Sequence, residues 1–242
     1  MTSIIIDGNN LTLIAYAASL NSQYKGTEGE KLFIVLSSMI QSLKKKFSGD
    51  FYVCWDTFGG TSFRKELDSN YKAGRDHDRF DFEEVEKCKN LYELYGIKSL
   101  SIPECEADDA IFVLCKALGG ENIIISADKD LIQVVQEGYA SKLYDPRRGK
   151  GEVEIPPYSI VKYKALVGDN SDHISGVVGI GPKKALFILD GSIKLTEEQN
   201  RQYEHCINLV DAKRNPKLQE NYNFVLNYLK EIGITPEVKL DF

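Results

Sequence analysis

The chain has 242 residues, 43% of them hydrophobic, enough to bury a sizeable core in one domain. Its formal net charge of −6 argues against a surface that is basic all over, as a simple nucleic-acid coat would be. No apolar run is long enough to span a bilayer and no signal peptide opens the chain, while Cys54, Cys88, Cys105, Cys115 and Cys206 show no paired spacing; a reduced, cytoplasmic protein is expected.

Ser3-Ile4-Ile5-Ile6 is a continuous, β-branched apolar run that ends at Asp7-Gly8. After a helical stretch, Leu32 to Phe47, a second run, Phe51 to Trp55, ends at Asp56. Phe82 to Tyr95 again reads as helix, followed by a short strand, Ile97 to Ser101. Glu106-Ala107-Asp108-Asp109 then opens a helix over Ala107 to Leu118, whose apolar residues Ile111, Phe112, Leu114, Cys115 and Leu118 keep helical spacing. A third run, Ile123 to Ile125, reaches Asp128 after Ser126-Ala127, and Asp128-Lys129-Asp130 leads into a helix holding Leu131, Ile132, Val134 and Val135. Asp169 and Asp172 precede a glycine-rich turn, and Tyr222 to Ile232 reads as a C-terminal packing helix.

Apolar runs without alternation are strands buried on both faces, hence a parallel sheet. Strands alternating with helices imply right-handed crossovers and a doubly wound α/β fold, in which the carboxyl ends of the strands share one edge. Asp7, Asp56 and Asp128 are therefore expected to be neighbours. Taken singly, the acidic clusters have plainer readings: a charged first helical turn, a cap or a solvated loop. Their conjunction decides, because two carboxylates ~4 Å apart repel by roughly 4 kcal/mol at an effective dielectric of 20. Something positive must hold nine of them, and hard oxygen ligands suit magnesium or manganese, two of which can cleave a phosphodiester in line.

The turn Gly176-Val177-Val178-Gly179-Ile180-Gly181-Pro182-Lys183-Lys184 is the second signal. Its glycines let backbone approach a partner, Pro182 suits a first helical turn, and amides at a helix N-terminus attract phosphate. A helix-hairpin-helix of this kind grips a nucleic-acid backbone without reading bases.

Asp-Gly-Asn at 7–9, Trp-Asp at 55–56, Phe63-Arg64, Tyr71-Lys72-Ala73-Gly74-Arg75, Glu106-Ala107-Asp108-Asp109, Asp128-Lys129-Asp130, Gly168-Asp169-Asn170-Ser171-Asp172 and the glycine turn follow one another as in the 5′ nuclease family. From residue 4 to about 190 the chain resembles flap endonucleases and 5′-3′ exonucleases of the bacteriophage and bacterial type, similar to the nuclease domain of DNA polymerase I. The resemblance implies a PIN-like core over 1–155 with a mostly parallel sheet, helices on both faces and a helical arch over about 59–80. A helical DNA-binding subdomain over 156–242, with its hairpin at 176–181, would complete one compact, monomeric unit.

By position, the resemblance implies one Mg2+ or Mn2+ near Asp7, Asp56, Glu106 and Asp108, a second near Asp128, Asp130, Asp169 and Asp172, and Asp109 between them. Lys72 and Arg75 would act with Asp109 in catalysis, pointing from the arch at the scissile phosphate, and Tyr71 would stack on a base. Gly176, Gly179, Gly181, Lys183 and Lys184 would hold DNA, and the carbonyls of Leu166, Val167, Ser175, Val177 and Ile180 a K+ ion. The implied substrate is DNA with a 5′ single-stranded flap or 5′ end, cut to leave a 5′-phosphate. The chain departs from many relatives at Ala127, where they have Gly, and over Leu13 to Ala18, where they carry an Arg. Two other readings stay open: a single-strand ribonuclease on the related acidic-edge fold, and a non-catalytic module for branched DNA.

Overall fold

The computed structural model describes residues 2–73 and 82–235. Five parallel strands form one sheet: β1 (Thr2–Asp7), β2 (Asp50–Trp55), β3 (Lys98–Ser101), β4 (Glu121–Ile125) and β5 (Lys142–Tyr144), in the order β3-β2-β1-β4-β5. The chain builds outward from β1 to β3, then crosses back to lay β4 on the other side of β1. That reversal makes the carboxyl ends of β1 and β4 the topological switch point, where open α/β sheets bind ligands.

The three inner strands, β1, β2 and β4, are buried on both faces, and alternate residues go to opposite layers. Ile4, Ile6, Phe51, Val53, Trp55, Ile123 and Ile125 pack with helices α1 (Gly8–Leu20), α2 (Glu28–Lys46) and α4 (Phe82–Leu94). Ile5, Tyr52, Cys54, Leu100 and Ile124 face α5 (Ala107–Leu118), α6 (Ile132–Gln136) and α10 (Lys217–Glu231). Helix α2 starts four residues before the apolar spacing predicts, because Thr27 and Glu30 form a capping box ahead of the first buried position, Leu32. Gly8 has a packing reason: a Cβ there would lie 2.7 Å from the Trp55 ring.

A second, smaller set of elements stands over the carboxyl edge of the sheet. Helices α7 (Ile160–Val167) and α9 (Glu197–Val210) share an apolar cluster with Tyr71 and Ile174, helix α3 (Ser62–Leu67) packs on α9, and α7 and α8 (Pro182–Leu189) close a second cluster around Val177 and Ile180. Gly168 and Gly176 let the chain pass itself there: φ is +85° and +70°, and a Cβ on either would meet backbone within 2.5 Å. Helix α10 then returns to the main core, burying Leu218, Tyr222, Val225 and Leu229 beside α5.

Candidate metal centre and nucleic-acid face

The turn that follows β1 ties three strand ends together. Asp7 caps α1, its carboxylate accepting the Asn10 N–H at 3.0 Å and the Ser126 hydroxyl at 2.9 Å. The Asn9 side-chain carbonyl accepts the Asp56 N–H at 2.9 Å, and that of Asn10 accepts the Ala127 N–H, also at 2.9 Å. Asp56 in turn accepts the Ala107 N–H at 2.7 Å, which joins the end of β2 to the start of α5. These bonds account for the backbone groups that the strands leave unpaired as they end.

Glu106, Asp108 and Asp109 stand on the first turn of α5, each with a carboxylate oxygen within 4.8 Å of the others'. The three share charge unequally. Burial first, then Asp108, pushes the Glu106 carboxyl up to about 7 against the pull of Lys72 and Arg64. Asp7 rises to about 7 as well, by burial and then by Asp56 and Asp128 outweighing its Asn10 and Ser126 hydrogen bonds. For Asp108 burial works upward, but Arg64, Lys72 and backbone N–H groups together hold it below the usual range. Asp109 has no exposed surface. It takes two hydrogen bonds from Arg64, at 2.8 and 2.9 Å, one from Asn215 at 3.1 Å and one from the Glu106 N–H. Both its oxygens accept hydrogen bonds, so in this structure Asp109 is the buried counter-ion of Arg64, beside the Glu106 and Asp108 carboxylates.

Across the cleft, Lys164 on α7 bridges Asp130 and Asp169, at 2.6 Å from the latter. Burial would raise Asp169, yet Lys164 and Ser171 bring it down to about 2. Asp172 is buried, and its backbone carbonyl accepts the Lys72 N–H at 3.0 Å. Asp128 has an exposed tip but dense protein beneath it, which lifts its carboxyl to about 6, with Asp108 and Asp172 adding to the rise and Lys164 and Lys72 opposing it. Residues from every acidic cluster thus act on one another electrostatically.

The donor set fits hard divalent cations. It consists of carboxylates alone, two of them driven up to about 7 by burial and like charge, and the positive groups set among them are the Arg64 guanidinium and the amines of Lys72 and Lys164. Lys72 is ion-paired with Glu106, which holds its amine well above the ordinary range although burial works against the charge.

Tyr71 corrects an expectation. Its side chain is 2% exposed, packed with Ala165 and Ile174, and its hydroxyl donates to Glu106 at 3.1 Å, so its ring offers no face to a base in this conformation. Arg75, and the arch from residue 74 to 80, lie outside the described residues; residues 59–73 form turns around α3. Lys183 and Lys184 are exposed on the first turn of α8, beside exposed Gly179 and Gly181, whereas Gly176 is buried. Gln202 and Gln199 of α9 brace the turn through the N–H and carbonyl of Val178. Of the carbonyls expected to hold K+, that of Leu166 accepts the Val177 N–H at 2.9 Å and that of Val177 the Ile180 N–H at 3.1 Å, each leaving a second lone pair. Val167 and Ser175 flank the crossing at Gly168 and Gly176.

Four residues of the site carry no sequence signal as functional groups on their own: Lys164, Asn10 and Asn215, and Arg64, whose only mark is its place in the Phe63-Arg64 pair. Their roles arise from partners distant in the chain, such as Asn215 with Asp109.

Residues 2–162 match the family described as 5′-3′ exonuclease, N-terminal resolvase-like domain. A 5′-3′ exonuclease of Mycoplasmopsis pulmonis is 26% identical over 247 aligned residues, covering 98% of this chain and 82% of the relative. The DNA polymerase I of Thermus thermophilus is 32% identical over 196 residues, and that of Bacillus subtilis 28% over 232. The chain spans about a quarter of the length of these polymerases, 23% and 25%, while the matches cover 77% and 90% of it. Among solved structures, a bacteriophage T5 protein co-crystallised with metal ions matches with a TM-score of 0.67 at 22% identity, covering 96% of this chain and 100% of the other. The catalytic core of Rad2 in complex with DNA matches with a TM-score of 0.52 at 14% identity, covering 99% and 72%. These two show a shared fold, and the family match, which spans two thirds of the 242 residues, establishes that the chain belongs to the 5′-3′ exonuclease family.

Proposed function

We propose that this protein is a structure-specific 5′ nuclease that hydrolyses phosphodiester bonds at 5′ flaps and 5′ ends of branched or duplex DNA, with two Mg2+ or Mn2+ ions as cofactors. The observation that carries the reading is the convergence of acids from five separate segments on one cleft at the switch point, with Asp7 and Glu106 pushed up to about 7 by burial and by the neighbouring acids. Two relatives support the substrate: a bacteriophage T5 flap endonuclease was solved as a pseudo-enzyme-product complex with DNA and metal ions, and the Rad2 core with a DNA substrate.

Asp7, Asp56, Glu106 and Asp108 would hold one ion and Asp128, Asp130, Asp169 and Asp172 the other. When bound, the ions supply Lewis-acid charge on the scissile phosphate and acidify the attacking water. The chain's own residues do the rest. Lys72, freed from Glu106, reaches the phosphate with its ammonium group, with Arg75 as its companion, and stabilises the charge that develops as the bond breaks. The amides of the 176–181 turn, with Lys183 and Lys184, grip the duplex backbone, and the Leu166, Val167, Ser175, Val177 and Ile180 carbonyls would hold a K+ ion, which would add positive charge at that turn. Residues 1–155 act as the nuclease core, and 156–242 supply the DNA-gripping turn before α10 returns to that core. Among the described residues no helix is long and apolar enough to cross a membrane, in keeping with a cytoplasmic enzyme acting on DNA.

Digestion of a 5′-flap duplex beside a blunt duplex and a plain single strand, with magnesium or with EDTA, tests the reading. Magnesium-dependent release of the flap, faster than attack on the single strand, is expected. Binding without cleavage would make the protein a branched-DNA module, and preferential cutting of single-stranded RNA would make it a ribonuclease.

A further inference from the structure

The stretch 209–221 lies beyond the residues that match the family, yet its polar groups converge on the loop that carries Glu106. The Leu209 carbonyl accepts the Arg64 Nε–H at 3.1 Å, and the Asn215 side-chain amide donates to Asp109 at 3.1 Å. Asn221 donates to the Cys105 sulfur at 2.7 Å, and Lys217 pairs with Glu104, whose φ of +56° is unusual for a residue with a side chain. Arg64, Asp109 and Asn215 are 3%, 0% and 3% exposed, so water does not compete for these bonds.

One nitrogen, Arg64 Nη1, joins the two halves: it donates to Asp109 at 2.9 Å and to Glu106 Oε2 at 2.7 Å. Tyr71 donates to the same Glu106 oxygen. Glu106 therefore has one oxygen fixed from behind, and the other, Oε1, left to Lys72 at the cleft. Without Arg64 the Glu106 and Asp109 carboxylates would face each other unshielded, and without Asn215 and the Leu209 carbonyl the guanidinium could tilt away from Glu106.

We propose that this C-terminal segment completes the metal centre. Asn215 and the Leu209 carbonyl are positioning groups that act through Arg64 and Asp109 to present Glu106 as a one-oxygen ligand. The inference rests on the reading of the acids as a metal centre. Partners behind a ligand typically change metal affinity 10–100-fold when lost.

The test is a calorimetric titration of the full chain with Mn2+, without DNA, on wild type, Asn215→Ser, Arg64→Lys and Lys217→Ala. Serine keeps an oxygen that can cap the Lys217 N–H, as Asn215 does at 3.0 Å, but removes the amide donor to Asp109. Mn2+ affinity about tenfold weaker in Asn215→Ser and in Arg64→Lys is expected, with Lys217→Ala unchanged and flap cleavage by Asn215→Ser restored by excess Mn2+. Affinity within twofold of wild type in Asn215→Ser would overturn the proposal and leave the segment a packing role. If Arg64→Lys fails to fold, Asn215→Ser decides alone. Failure of the wild type itself to bind Mn2+ would remove the metal reading, and the inference with it.

Discussion

The two walls of the cleft hold their acids in opposite ways. Where β1 ends and α5 begins, burial and neighbouring acids lift Asp7 and Glu106 to about 7, Glu106 even with Arg64 and Lys72 paired to it; on the wall built by α7, Lys164 serves both Asp130 and Asp169, and Asp169 falls to about 2. The sheet leaves little choice in the first case, since the strand ends converge by topology and their hydrogen bonds go to neighbouring loops. In the second, a lysine one turn from the end of a helix supplies the missing charge. The first wall is thus poised to gain most from a divalent ion, and the second already stands close to balance.

The largest expected effect is on chemistry. Asp7→Asn should lower single-turnover cleavage on the order of 10³-fold, ~4 kcal/mol of transition-state stabilisation, while melting in EDTA no lower than wild type because an undercompensated charge is gone. Asp169→Asn should also cut poorly but melt lower in EDTA, since it strips a partner from Lys164. Equal shifts of both melting points would erase the distinction between the walls.

The pH dependence of metal-free stability comes next. Asp7 and Glu106 titrate above their unfolded values, so what their neutral forms contribute is complete below about pH 4 and lost as pH rises through about 7. At 1.36 kcal/mol per unit, Asp7 alone accounts for on the order of 4 kcal/mol. Asp169 works the other way, contributing stability above its ordinary value that is lost as pH falls through about 2. Denaturant melts in EDTA between pH 4.5 and 7.5 should therefore show declining stability, with a flatter slope in Asp7→Asn.

Smaller is the effect of Lys164→Met, which should cost the metal-free protein roughly 1–3 kcal/mol by leaving two acids unpaired. Its gain on adding magnesium should exceed that of wild type, for which about 2.7 kcal/mol per site is expected at a hundredfold excess over Kd. Thermal melts with and without magnesium give both quantities. Smallest is the change in binding for Lys183→Ala with Lys184→Ala: weaker duplex affinity and a salt slope reduced by roughly 0.9 per lost phosphate contact, with the single-turnover rate at saturating DNA little changed.

The sheet was legible in the sequence because its strands are unbroken apolar runs that stop at an acid, and the shared edge follows from topology. Strand β5 was not, since Lys142-Leu143-Tyr144 is too short to show a pattern. The acids could be gathered into one cleft on paper, but not told apart. Asp108 and Asp109 are adjacent letters, and only the fold shows that helical rotation turns one toward the cleft and the other onto Arg64. Tyr71 departs from the role the resemblance implies because its burial depends on α7 and α9, far along the chain. The last fifty residues gave little because their role is to brace groups that other segments contribute.

Calorimetric titration with Mg2+ in two buffers of different ionisation enthalpy shows whether the cleft holds excess negative charge in wait for divalent cations. At pH 6.5 binding should release protons, because Asp7 and Glu106 titrate near 7 and must lose theirs to become ligands; at pH 8.5 the release should vanish while binding persists. Saturable binding with no proton release at the lower pH, or no binding at either, would contradict the account.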